Sequence, residues 1–136
     1  MLFRSELADA TELEITSGFI CGWCAGADSI VIVQDQYAYV KFDPCSDEAF
    51  HPREFGDVTT DQWNELIQLL DFNTFKSIDR NTCNLCVDGC DYWVKIRQGD
   101  EIHKITFGQS KADTIALEPI MPFIEKLDLL KAQLIK

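Results

Sequence analysis

Six cysteines stand at positions 21, 24, 45, 83, 86 and 90, and two of the gaps, Cys21 to Cys24 and Cys83 to Cys86, hold two residues each. That spacing lets neighbouring thiolates converge on one tetrahedral ion. Cys21, Cys24, Cys83 and Cys86 are therefore candidate ligands of a single structural zinc, with Cys90 near enough to replace one of them. An even count in a small domain fits disulfides equally well. Six cysteines allow fifteen full pairings, and sequence alone does not choose among them. A bridge closing Cys-x-x-Cys is usually redox-active, so a structural network is expected to join the two clusters or to tie in Cys45. Reduced, partly buried thiols are the third reading. With 58 residues between Cys24 and Cys83, either kind of link requires the intervening elements to bring the clusters together.

Cys21-Gly22-Trp23-Cys24 also has the spacing of a dithiol catalyst, but such a site places its first cysteine at a helix N-terminus. Here the following residues lead into a strand, with no βαβ unit around them. His51 lies among Asp43, Asp47, Glu48, Glu54 and Asp57, a candidate oxygen-rich metal site, but neither helical nor calcium-loop spacing supports one and a solvated loop is expected. No glycine-rich phosphate loop, Gly-x-Ser-x-Gly elbow or His-Glu-x-x-His occurs, so the chain is expected to bind rather than to catalyse.

The elements that must position these sulfurs are legible in periodicity. Tyr92, Val94 and Ile96 alternate with Trp93, Lys95 and Arg97, the period of a strand with one buried face. Gly99-Asp100 is a two-residue turn whose glycine supplies a positive φ. The register it imposes pairs Ile96 with His103, Val94 with Ile105 and Tyr92 with Phe107 on one face, where His103 is expected as a hydrogen-bonded rim residue. Arg97 with Ile102, Lys95 with Lys104 and Trp93 with Thr106 fall on the other, where the opposed lysines call for water or carboxylates. Glu12 to Phe19 alternates likewise and predicts a strand running into Cys21. Ser29 to Val33 and Tyr37 to Phe42, parted by Gln34-Asp35-Gln36, predict a second hairpin with two apolar faces. Helices should cover one side of it, and either more helices or a partner the other.

Asp43 to Asp57, with Pro44, Pro52 and Gly56, is expected to be irregular. Thr59 and Gln62 then have capping-box spacing, and Trp63, Leu66, Ile67 and Leu70 form one helical stripe. That helix should end near Asp71 or Phe72, with Phe75 and Ile78 packed beneath it. Gly108 to Asp113 is expected to be a loop. A last helix follows Glu118-Pro119, its start delayed by Pro122, with Ile120, Ile124, Leu127, Leu130 and Leu134 inward. The order predicts one α+β domain over 1–136: a single antiparallel sheet of about five strands with two helices packed on one face.

The formal charge is −11, which disfavours nucleic acid or an anionic membrane surface as partner. Residues 1–71 hold 14 acids and three bases, whereas 72–136 hold nine of each. The acidic half is either a solvated surface that aids solubility or a face for a basic protein, as in a cytoplasmic inhibitor or immunity-type protein. No stretch has the apolar length of a membrane span. The N-terminal residues lack the pattern of an export signal and predict a cytoplasmic chain. Six cysteines point instead to an envelope or secreted protein whose signal has been removed.

The segment Cys86-Val87-Asp88-Gly89-Cys90-Asp91-Tyr92-Trp93-Val94-Lys95-Ile96, followed by Gly99-Asp100, resembles the motif of an uncharacterised family of bacterial envelope lipoproteins. In that family Cys-x-Gly-x-Cys-Pro-x-Tyr opens a strand that leads to a glycine turn. Here the glycine falls one position late and Asp91 stands in place of proline. The helix start Thr59-Thr60-Asp61-Gln62-Trp63, followed by Phe72 to Phe75, is similar in style. The resemblance covers about a quarter of the chain and implies an exported, non-catalytic module.

Overall fold

Alternating apolar residues become strands that close one sheet. The structure, a computed structural model, describes residues 12–43, 45 and 53–136. The strands are β1 (Glu14–Cys21), β2 (Ala27–Ile32), β3 (Gln36–Phe42), β4 (Arg53–Asp57), β5 (Cys90–Gln98) and β6 (Glu101–Phe107). They lie in the order β4-β3-β2-β1-β5-β6, every neighbour antiparallel. Four helices are described: α1 (Thr60–Ile67), α2 (Phe72–Ser77), α3 (Lys111–Ala116) and α4 (Met121–Leu134). The fold is α+β, with the helices packed on one face. On that face Ile15, Ile30, Ile32, Ile96 and Ile105 are fully buried, and Trp63, Leu66, Phe75, Phe123, Leu127 and Leu130 complete the same core.

The β5–β6 register agrees pair for pair with the expected one, from Tyr92 with Phe107 to Arg97 with Ile102, and Gly99 turns at φ 61°. His103 Nε2 lies 2.7 Å from the Ile78 carbonyl, with its ring edge-on to Phe75. The capping box of α1 is complete: Gln62 N donates to Thr59 Oγ1, and Thr59 N donates to Gln62 Oε1. The stripe from Ile120 to Leu134 is buried throughout, behind a 3-10 turn at Glu118–Ile120 and with Pro122 in the first turn of α4.

Three expectations are corrected. The irregular stretch from Asp43 to Asp57 ends in β4, an edge strand paired to β3. Its one large apolar side chain, Phe55, is 69% exposed, so backbone pairing makes the strand without hydrophobic alternation. α1 stops at Ile67, because Leu69 N and Leu70 N donate to Leu66 O and Ile67 O, tightening the chain into 3-10 turns. Asp71 then caps α2 by accepting from Thr74 N, and this helix delivers Phe75 to the core. The segment from Gly108 to Asp113 is a loop only as far as Ser110, where a second capping box with Asp113 starts α3. Residues 1–11 and His51 lie outside the described residues.

Polar contacts fasten α4 to the sheet. Lys131 Nζ donates to Asp28 Oδ1 at 2.7 Å, and Tyr39 OH donates to Asp28 Oδ2 at 2.9 Å. The Tyr37 hydroxyl lies 2.6 Å from Glu54 Oε2 and 2.8 Å from the Leu134 carbonyl oxygen, and its single proton serves one of them at a time. A Cβ on Gly56 would run into the Tyr37 ring, so the close crossing of β3 and β4 needs glycine there.

Asp113 is 3% exposed. Burial pushes its pKa up, but hydrogen bonds from Ser110 and the Gly108 amide, together with Arg80 at 2.9–3.0 Å, outweigh burial and lower it to about 2. A carboxylate with a depressed folded pKa stabilises the fold above its unfolded pKa and loses that contribution as pH falls through the folded value. Urea titrations should therefore show Asp113→Asn less stable than wild type at pH 6. The gap should close by about 2 kcal/mol between roughly pH 4 and pH 2. A gap independent of pH would mean that the charge on Asp113 does not hold α3.

Candidate functional site: the disulfide-bound end of the sheet

The strands carry the two cysteine clusters to one end of the sheet. Cys21, at the end of β1, lies directly opposite Cys90, at the start of β5, and the two are bonded with Cα atoms 4.0 Å apart. Gly22 N donates to Gly89 O in the next pair, so the bridge occupies the closer, non-hydrogen-bonded position of the ladder. Cys24 is bonded to Cys45 and Cys83 to Cys86, which leaves no free cysteine among the described residues. Two bridges agree with the expected network, one joining the clusters and one tying in Cys45. The Cys83–Cys86 bridge closes the two-residue spacing that a structural network was expected to avoid. In this oxidised state Cys21, Cys24, Cys83, Cys86 and Cys90 carry no thiolate, the form in which cysteine ligates zinc. Cys24, Cys45 and Asp43 do bring ligand atoms within 4.8 Å of one another, but the two sulfurs there are bonded to each other.

The turn between β1 and β2 is unusual in its residues. Ala25 N donates to Gly22 O across it, and its central residues Trp23 and Cys24 have φ of 54° and 60°. Such a turn is normally filled by Asn and Gly, because a left-handed residue with a side chain costs roughly 1–2 kcal/mol. Bridges on both sides, Cys21–Cys90 and Cys24–Cys45, hold it. Trp23 is 81% exposed.

Opposite lies a 3-10 turn, Asn84–Val87, closed by Asp88 at φ 69°. The two turns touch, since a Cβ on Gly22 would meet Leu85 O and Asp88 Cα. Beneath the second turn sits Asp91, 2% exposed. Its Oδ1 accepts from Thr82 Oγ1 at 2.6 Å and Asn84 N at 2.9 Å, and its Oδ2 accepts from Leu85 N at 3.0 Å. Burial raises the pKa of this carboxyl, but those donors outweigh burial and hold it below the usual carboxylate range. Asp91 thus supplies the acceptor that the orphan N–H groups of a short turn require.

On the face away from the helices, a cleft of about 290 Å³ adjoins this turn. Phe42, Thr82, Leu85, Trp93 and Lys104 line it. Trp93 lies over Gly18 of the neighbouring strand, where a Cβ would come within 2.9 Å of the indole, and Lys104 Nζ stands 4.8 Å above the same ring. The opposed Lys95 and Lys104 are thus relieved in part by an aromatic face rather than by a carboxylate. In the acidic half of the chain, Glu14, Asp28 and Glu65 are engaged in ion pairs with Arg97, Lys131 and Lys126.

Sequence reasoning named Trp23, Asp91 and Asp43 but assigned none of them the part it plays here. Asp91 falls on the face of β5 that the alternation assigns to water, so its burial had no signal. The exposure of Trp23 had none. No family model matches the chain, and no curated protein matches it either.

Proposed function

We propose that the chain is a binding module that docks a protein partner at the disulfide-bound end of its sheet and works in an oxidising compartment. Trp23 carries this reading: a large ring, four-fifths exposed, held in a left-handed turn that is bridged on both sides. Residues kept in costly backbone conformations cluster at functional sites, and rigid aromatic side chains are common anchors of protein interfaces. Val87, 77% exposed on the adjoining turn, adds apolar surface beside it. The bridges support an envelope or secreted setting, because cytosolic thiol buffers keep cysteines reduced.

A photo-crosslinking residue at position 23 is expected to give a discrete adduct with one partner protein in the host cell. The same residue at position 129, exposed on α4, should give none. Matching products at both positions would discard the docking site. Thiol titration of the native protein under denaturing conditions should find no free thiol, and six reactive thiols would remove the oxidising compartment.

A further inference from the structure

The three bridges differ in what an incoming thiolate meets. Cys21–Cys90 is half-buried between paired strands. Cys24–Cys45 is exposed, but it helps to hold Trp23 and Cys24 in their left-handed turn, so opening it would release that turn. Cys83–Cys86 is exposed on a turn whose residues Thr82 and Leu85 also line the cleft beside Trp93 and Lys104.

Nor does that turn depend on its bridge for its shape. Asp91 holds the N–H groups of Asn84 and Leu85, and Asn84 O accepts from Gly89 N at 2.7 Å. The bond can therefore open and close again with both sulfurs kept in place. Exposed bridges of this kind are the exchangeable ones.

We propose that Cys83–Cys86 is a thiol–disulfide exchange site that takes two electrons from a cysteine pair of a partner protein whose apolar peptide lies in the adjoining cleft. Phe42, Leu85 and Trp93 form apolar walls for the peptide, and the cleft carries one cation, Lys104, beside the hydrogen-bonded carboxylate of Asp91. In the first step that thiolate attacks one sulfur of the bridge. A mixed disulfide forms as the Cys83–Cys86 bond breaks, and the released cysteine takes up a proton. The partner's second thiol then gives up its proton and attacks the partner sulfur of the mixed disulfide, releasing the other cysteine. The partner leaves as a disulfide, and Cys83 and Cys86 have gained two electrons and two protons. The proposal is independent of docking at Trp23, because it can be tested with peptide thiols alone.

The oxidised full chain would be treated with limiting reduced glutathione or with a two-cysteine peptide carrying leucine and phenylalanine flanks, then alkylated and mapped by mass spectrometry. Cys83 and Cys86 should become alkylated at least about tenfold faster than the other four, with the peptide outrunning glutathione. Lys104→Glu, which reverses the charge beside Trp93, should slow the peptide reaction several-fold, with the far-UV spectrum checking that the variant is folded. In the reverse direction, at least one of Cys83→Ser and Cys86→Ser, each with one thiol left, should accumulate a mixed disulfide with the oxidised peptide. Equal opening of all three bridges, earlier opening of Cys24–Cys45, or failure of both single variants to trap the peptide would overturn the site. A peptide no faster than glutathione would overturn the cleft as its docking groove.

Discussion

Replacing Cys21 and Cys90 together by serine is expected to lower the free energy of unfolding by about 4 kcal/mol, the largest effect of any bridge in the molecule. The two residues are 69 apart in sequence, against 21 for Cys24 and Cys45 and three for Cys83 and Cys86. In the chain-entropy account a crosslink acts on the unfolded ensemble and its effect grows with the logarithm of the loop it closes. The same argument gives about 3 kcal/mol for the second bridge and 2 or less for the third. Urea unfolding of the three double-serine variants, with the remaining bridges intact, should reproduce that ranking. Were Cys83→Ser/Cys86→Ser the most damaging pair, loop closure would not be what these bridges supply.

Lys131→Met should cost about 3 kcal/mol, because it leaves the Asp28 carboxylate buried without its cation. Asp28 is 6% exposed and accepts from Lys131, from Tyr39 and, at 3.3 Å, from Phe19 N. Those neutral donors hydrogen-bond the anion without neutralising it. Burial and the bond to Asp28 together push the Tyr39 hydroxyl up to about 12, so it stays a donor across the working range. The Asp28→Asn/Lys131→Met double variant should recover part of the loss, since a neutral amide no longer needs a counter-ion. Chemical denaturation of the single and double variants measures the coupling. Strict additivity would show that the 2.7 Å contact contributes nothing to the docking of α4.

How much of this was legible follows from where the physics is local. The β5–β6 hairpin could be read register and all, because a glycine turn and two-fold alternation both act between near neighbours. The stripe from Ile120 to Leu134 and the Thr59–Gln62 cap were legible for the same reason. β4 was not, because Arg53 to Asp57 is shaped by the strand beside it rather than by its own side chains. α2 and α3 are six residues each, too short for a periodic stripe, although both begin with an acid or serine cap that was there to be read. At the site, the meeting of the cysteine clusters was inferred from the sheet, yet the pairing within them was not. The Cys21–Cys90 pair depends on the β1–β5 register across 69 residues, and no local pattern records it.

The position of β1 has a kinetic consequence. Its two ladders differ in range: pairing with β2 needs only the turn at Trp23, while pairing with β5 joins residues 69 or more apart in sequence. The slow step of folding should then be the zipping of two preformed halves along β1, with oxidation of Cys21 and Cys90 as its last event. Quenching a refolding reaction early should trap molecules in which the short-range bridge at Cys83 and Cys86 is already made and the long-range one is still open.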